Sequence, residues 1–414
     1  MIEAQLEEDA KSSFLQAVCR GLALPSPCFV LDECRLKDNA AILEEVEKRG
    51  GARILLALKG FAAWSMFPLL SRTQDGPLFG VCASSVDEAR LGRENFGGEV
   101  HAFAAAWSDS EMRELLQYVD HLTFNSIGQW EHFKGEIERH NQKDRPHNPI
   151  LCGLRINPEH SEGAPDIYNP CSPKSRLGIR AAAMPPAGNP VWEKLSGLHF
   201  HTLCEQDSEA FARTLQAFER KFSPWLDQAS WFNFGGGHHI TRKDYDIDSL
   251  IGLLTSWRQR HPGTIYLEPG EAVALNAGWL VARVLDVVEA DMPVAILDCS
   301  AACHMPDVLE MPYRPEAWSC GDCRPTHAGL PGEKAFTCRL AGKSCLAGDN
   351  IGEYSFAKML TPGDMIIFSD MAIYSMVKTT TFNGLRLPGI GAWNGLDFRL
   401  LRSFAYDDFK NRLS

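Results

Sequence analysis

Between residues 53 and 270 the chain alternates short apolar runs with stretches of helical periodicity, a pattern that few folds accept. A run that is apolar on both faces belongs in a parallel sheet covered by helices. The runs that read as strands lie at residues 53–59, 78–83, 99–103, 121–125, 151–157, 198–202, 231–234 and 264–268. Helical patterns lie between them at 85–96, 110–119, 126–139 and 208–221, several opening on serine. Ser85-Val-Asp-Glu88 has the spacing of a capping box. Eight such units predict an α/β fold, a (β/α)8 TIM-like barrel; a doubly wound sheet is the competing arrangement.

After residue 278 helical periodicity fades. Runs at 279–289, 292–298, 334–340, 364–368 and 399–406 are separated by Gly/Pro turns and read as strands of a mostly-β domain. The early run at 27–32 is strand-like and is expected to join that sheet, ahead of a first helix at 33–49. The expected division is a barrel domain at 34–278, and a β-sandwich- or barrel-like domain from 1–33 and 279–414. At 414 residues, two cores are the ordinary expectation.

A net charge of −12 argues against non-specific nucleic-acid binding and suits a cationic substrate. Residues 1–10 are acidic rather than apolar and do not read as a secretory leader. No apolar run reaches membrane-spanning length. With thirteen cysteines and no leader, a reducing cytoplasm is expected. Cys320-Gly-Asp-Cys323 is a single CxxC without a second pair, weak support for zinc, and no metal is expected.

The run Arg53-Ile-Leu-Leu-Ala-Leu-Lys59-Gly60 leads an apolar strand into a cation. A lysine there commonly snorkels to solvent. A desolvated one loses its proton readily and becomes an amine nucleophile toward an aldehyde. In a barrel the site gathers at the C-terminal ends of the strands. This rim carries Lys59, Ala83-Ser84, Asn125, Arg155, His199, Thr202, Gly235-Gly236-Gly237 and Glu268-Pro269-Gly270. Alone, the glycines are a turn, His199 a core histidine and Glu268 half of an ion pair. Together they supply an amine, a phosphate cradle, a flat ring and a carboxylate, which is what pyridoxal 5'-phosphate requires. Lys59 would take the aldehyde, the glycines and Thr202 the phosphate, and His199 would stack on the ring. Glu268 at the pyridine nitrogen would make the ring a strong electron sink, which favours decarboxylation over racemisation.

The lysine at the end of the first strand, Gly197-Leu-His199, Phe234-Gly-Gly-Gly237, Glu268-Pro-Gly270 and Ser344-Cys345 together resemble the alanine racemase/ornithine decarboxylase fold of pyridoxal-phosphate enzymes. Longer motifs narrow the likeness to the carboxynorspermidine (carboxyspermidine) decarboxylases. These are Ser196-Gly-Leu-His-Phe-His-Thr-Leu-Cys-Glu205, Tyr168-Asn-Pro-Cys-Ser-Pro-Lys-Ser-Arg-Leu-Gly178, His304-Met-Pro-Asp-Val-Leu-Glu-Met-Pro-Tyr-Arg314 and Cys345-Leu-Ala-Gly-Asp349. The resemblance implies decarboxylation of carboxynorspermidine or carboxyspermidine in polyamine biosynthesis, by a homodimer whose active sites are completed across the interface. It implies that Lys59, His199 and Cys345 are catalytic, Cys345 returning the proton. It implies that Arg155, Thr202, Gly235, Gly236, Gly237, Glu268 and Tyr374 also hold the cofactor.

Two departures stand out. Ornithine-type relatives carry Glu-Pro-Gly-Arg, and this chain has Glu268-Pro-Gly-Glu271. They also follow the cysteine with aspartate, and here Leu346 stands there. A different, longer, polyamine-like substrate is the expectation, with Asp298, Asp349 and Glu271 as candidate partners for it. The competing readings are decarboxylation of diaminopimelate, ornithine or arginine, or an inactive regulatory homologue.

Overall fold

The computed structural model describes residues 12–162, 168–321 and 323–414. The acidic segment at 1–10, and part of the loop rich in Pro, Ser, Asn and Gly at 157–176, lie outside the described residues. The chain divides into two compact units, Lys37–Val273 and a second made of residues up to Leu36 with Ala274–Ser414.

The first strand, β1 (Cys28–Asp32), belongs to the second unit. In the first unit, β2 (Ala52–Ala57), β3 (Gly80–Ala83), β4 (Glu99–Phe103), β5 (His121–Phe124), β6 (Leu151–Asn157), the short β7 (Ile179–Arg180), β8 (Leu195–His199), β9 (Trp231–Asn233) and β10 (Thr264–Leu267) form one sheet. All pairings are parallel, and β5 pairs with β6, so the sheet closes into a barrel of eight strands with β7 attached to β6. The strands are nearly continuous buried runs, as strands covered by helices require. Small residues make room inside. A Cβ on Gly197 would stand 1.8 Å from the Trp231 indole, and one on Gly153 2.6 Å from it, so the ring fills space that both glycines leave.

The helices start where the sequence signals them. Ser108 and Glu111 form a reciprocal capping box, and Asp207 caps the long helix Ser208–Leu226 through the Ala210 amide. At Ser85 only half of the expected box forms. Ser85 accepts from the Glu88 amide, but the Glu88 carboxylate takes the amide of Ser84.

The N-terminal mouth of the barrel is polar. Glu99 binds Arg53, Tyr266 and His101 there. His101 and His121, opposite each other on β4 and β5, stack with centroids 3.9 Å apart and planes 7° from parallel. Glu99, His101 and His121 each offer a ligand atom, all within 4.8 Å of one another. A cavity of about 400 Å³, lined by Arg53, Glu99, His121 and Tyr266 among others, opens at this mouth. Lys59 lies beyond the other end of β2, so this cavity is not where the expected chemistry gathers.

The second unit is a ten-stranded sheet. Its strands after β1 are β11 (Gly278–Val288), β12 (Val294–Leu297), β13 (Ala317–Gly321), β14 (Arg324–His327), β15 (Phe336–Ala341), β16 (Asn350–Phe356), β17 (Met365–Ser369), β18 (Gly389–Trp393) and β19 (Phe398–Arg402). β1 lies antiparallel to β11 and parallel to β18, so the N-terminal strand does complete this sheet. The helix Ser13–Cys19 closes its core, with Phe14 packed on Trp279 and Trp393 and fully buried. Burying such a ring contributes about 2–3 kcal/mol. Cys19 at the end of this helix is disulfide-bonded to Cys320. One cysteine of the CxxC is therefore joined to a residue 301 positions away. No helix among the described residues is long and apolar enough to cross a membrane.

Candidate active site

Lys59 follows β2 in a turn closed by Gly60 N–H donating to the Ala57 carbonyl at 3.0 Å. It is exposed, so desolvation is not what distinguishes it. Its neighbour is an imidazole, with Nζ 3.2 Å from His201 Nε2. His201 Nδ1 accepts the Gly236 amide N–H at 3.0 Å. Burial first, then the charges of Lys59 and Arg155, hold the His201 pKa well below the usual imidazole value, so the ring is neutral at pH 7. A neutral ring that accepts at Nδ1 carries its proton on Nε2, toward the lysine amine.

His199 occupies a different place from the one expected of it. It is 2% exposed, tilted against Phe103, with Nε2 3.4 Å from Glu268 Oε2. The ring beside Lys59 is that of His201, two residues on, where the chain has already left β8. The spacing His199-Phe-His201 was visible in the sequence, but nothing in it said which ring would turn to the lysine.

Glu268 is buried and held from several sides. Asn233 Nδ2 donates to its Oε1 at 2.6 Å. Burial alone would raise its pKa. Its pairing and hydrogen bond with His199, and the Cys82 thiol, outweigh that and lower it, so the group is an anion. Asn233 was missed at the sequence level. Its Oδ1 also accepts the Gly235 amide at 2.9 Å, so one side chain ties the carboxylate to the glycine turn. Arg155 is 5% exposed, donates to the His201 carbonyl at 3.0 Å and lies 4.5 Å from the Phe103 ring. Burial lowers its pKa to about 10, and it stays charged.

Gly235 and Gly237 have φ of +68° and +86°. A Cβ on Gly236 would lie 2.1 Å from the Glu268 carbonyl oxygen, so the turn has no room for a side chain there. The amides of Gly235 and Gly236 are engaged by Asn233 and His201, which revises the expectation that all three glycine amides face a phosphate. Thr202 offers a hydroxyl instead. Its Oγ1 is shielded from solvent without a hydrogen-bond partner, although the residue is only 4% exposed. An orphaned hydroxyl beside a bare-glycine turn, an amine and a buried carboxylate fit pyridoxal phosphate at each of its three polar ends.

Residues 28–372 match the family described as pyridoxal-dependent decarboxylase, C-terminal sheet domain. The chain belongs to the pyridoxal-dependent decarboxylases. Pyridoxal phosphate is its cofactor. It is 42% identical to a carboxyaminopropylagmatine decarboxylase of Synechocystis over 94% of this chain and 96% of that one. It is 38% identical to a carboxynorspermidine/carboxyspermidine decarboxylase of Campylobacter jejuni over 94% of this chain and 98% of the relative. A crystal structure of carboxynorspermidine decarboxylase from Campylobacter jejuni, complexed with norspermidine, aligns with a TM-score of 0.82 at 37% identity, covering 94% and 100% of the two chains.

Glu271 meets His239 at 3.2 Å. In the second unit, Cys345 is exposed in a turn whose amide donates to Asn383 Oδ1 at 2.9 Å, and Tyr374 has φ of +43°. Asp349, 3% exposed, accepts from Ser300 Oγ at 2.8 Å and from the amides of Ala302 and Ser344. Asp298 Oδ1 accepts the Arg283 amide at 2.9 Å. Both aspartates, expected to meet substrate amines, are engaged by their own fold. Both oxygens of Asp349 have partners within the fold.

Proposed function

We propose that this pyridoxal-phosphate enzyme decarboxylates a carboxylated polyamine, carboxynorspermidine or carboxyspermidine, giving norspermidine or spermidine. The observation that carries the reading is the Lys59–His201–Gly236 chain, set beside a Glu268 anion fixed by Asn233. The acidic chain and the full-length likeness to polyamine-forming relatives support the substrate class.

Bound here, pyridoxal phosphate supplies the electron sink that accepts charge as carbon dioxide leaves. Lys59 holds its aldehyde. Glu268 remains ionised and keeps the pyridine nitrogen protonated. Thr202 Oγ1 and the glycine turn receive the phosphate, with Tyr374 as a further partner. His201 is the imidazole facing the cofactor, and His199 and Asn233 hold Glu268. Arg155 fixes the His201 backbone. Cys345 Sγ delivers the proton that replaces the lost carboxylate, from the partner protomer of a cytoplasmic homodimer.

A second substrate has a specific observation in its favour. The Synechocystis relative, at 42% identity, is named for carboxyaminopropylagmatine, whose far end is a guanidinium. Carbon dioxide release from carboxynorspermidine, carboxyspermidine and carboxyaminopropylagmatine, measured with one preparation, decides between them. Highest kcat/KM on either of the first two upholds the proposal. Preference for the guanidinium substrate replaces it with the second reading, and release from none of the three sinks both.

A further inference from the structure

The segment that leaves the glycine turn folds back and ties itself down within the barrel unit. His238 directly follows Gly237 and is 1% exposed. Its Nδ1 lies 2.6 Å from the hydroxyl of Tyr245, itself buried. Its ring stacks on Phe211, with centroids 5.1 Å apart and planes 7° from parallel. Burial first, then the charge of His239, lowers the His238 pKa to about 3. Burial also keeps the Tyr245 hydroxyl protonated, so a neutral ring meets a neutral phenol. The chemistry proposed above uses neither side chain.

The glycine turn grips residues 200–203. A Cβ on Gly235 would stand 2.5 Å from the Phe200 carbonyl oxygen, and one on Gly237 1.9 Å from that of Leu203. The Gly237 carbonyl accepts the Gln206 amide at 3.0 Å, and the His239 amide donates to the Gln206 carbonyl at 3.1 Å. Thr202, whose hydroxyl is shielded and unpartnered, lies within the gripped stretch. Asn233 and His201 hold the first two amides of the turn. The Gly237 amide makes no backbone hydrogen bond among the described residues. Gly237 sits at φ +86°, in the region that favours glycine, and its amide is aimed only as well as its flanks are fixed. On one flank Asn233 and His201 fix it; on the other flank the His238–Tyr245 contact does.

We infer that His238 and Tyr245 form a latch that aims the Gly237 amide, and with it Thr202 Oγ1, at the cofactor phosphate. The inference rests on the reading above that sets the phosphate at this turn. Both are positioning residues, which act through Gly237 without touching the cofactor. Hydrogen bonds to an anion weaken steeply with misdirection, so loss of the latch weakens the hold on phosphate. The contacts of Lys59 and Glu268 to the rest of the cofactor do not pass through this segment, and they are spared.

The test titrates the full chain, freed of cofactor, with pyridoxal phosphate and with 5'-deoxypyridoxal. The second keeps the aldehyde and the ring nitrogen and carries a methyl in place of the phosphate arm. Kd is read from the visible absorbance of the lysine-bound aldehyde. Wild-type enzyme is expected to prefer pyridoxal phosphate by about a hundredfold or more. Tyr245→Phe, which removes one hydroxyl, is expected to lower that preference about two- to tenfold. His238→Phe, which keeps a ring against Phe211, is expected to lower it by a similar factor. The double variant is expected to lose no more than either single one, because all three lack the same hydrogen bond. Equal weakening of both ligands, with their ratio as in wild type, would show a packing role and overturn the inference. Losses that multiply in the double variant would overturn it too. If His238→Phe does not fold, Tyr245→Phe decides alone. A wild-type enzyme that binds both ligands equally well removes the phosphate from this turn, and this inference with it.

Discussion

Lys59 Nζ lies 3.2 Å from His201 Nε2, and the opposite nitrogen of that ring is fixed by the Gly236 amide. The glycine turn therefore sets the tautomer of the ring that faces the lysine. Backbone at one end of the site controls proton placement at the other.

Lys59→Ala is expected to abolish the visible absorbance of lysine-bound cofactor and to lower kcat/KM by about 10³ or more. Retention of a wild-type spectrum on adding pyridoxal phosphate would falsify the assignment.

His201→Ala is expected to disturb the cofactor spectrum and its pH dependence more than His199→Ala does, because only His201 touches Lys59. His199→Ala is expected to act through Glu268, 3.4 Å away. Spectral pH titration of both variants checks this; the opposite ranking would restore His199 as the facing ring.

Asn233→Ala removes both the donor to Glu268 and the acceptor for the Gly235 amide. Asn233 is a positioning residue. Its loss is expected to lower kcat by about tenfold to a hundredfold and to weaken cofactor retention, since the carboxylate and the turn loosen together. Because the folded pKa of Glu268 is lowered, its contribution to stability is full above the ordinary carboxylate range and is lost as pH falls through the folded value. Thermal melts from pH 5 to 2, through and below the unfolded value of 4.5, are expected to fall more steeply in wild type than in Glu268→Gln. Equal slopes would show that the carboxylate is not held as an anion.

His121 has both ring nitrogens shielded and without a hydrogen bond, Nδ1 lying 3.8 Å from Glu99 Oε2, and burial first, then His101 and Arg53, depress its pKa. Its unfolded value is 6.5, so below that pH the unfolded chain binds the proton that the folded chain refuses. Stability is then complete above about pH 6.5 and falls below it, by about 1.4 kcal/mol per pH unit for one proton. His121→Leu is expected to flatten the melting temperature between pH 6.5 and 5 by one proton's worth. An unchanged slope would assign the acid sensitivity to the other buried histidines.

Cys19→Ser is expected to lower the melting temperature, by about 2–5 kcal/mol in stability, and to make it insensitive to reductant. Wild-type enzyme should lose a similar amount on reduction. A wild-type melt that reductant leaves unmoved would mean that the bond adds nothing to stability.

The barrel was legible because its signal is local. Each of its eight strands is a buried apolar run bounded by turn or cap residues, and every one lies where the sequence placed it, within a few residues. The sheet unit was legible in part. β11, β12 and β17 carry strong runs, but β14 is Arg-Pro-Thr-His and β18 is Gly-Ile-Gly-Ala-Trp, and neither shows a strand's alternation. β14 is held by its hairpin with β13, and β18 by β1, a neighbour distant in sequence.

The same distinction divides the site. Residue type and strand-end position by themselves determined an amine, a glycine turn, a carboxylate and hence the cofactor class. Only tertiary structure decided that His201 rather than His199 meets Lys59, that Asn233 joins Glu268 to the turn, and that Asp349 is engaged while Asp307 keeps a free oxygen. Chemistry follows from which groups a chain owns, and local sequence reports that. Which of two rings turns inward, and which acid keeps an unpaired oxygen, depends on hydrogen bonds between residues up to 142 positions apart, and no local pattern encodes them.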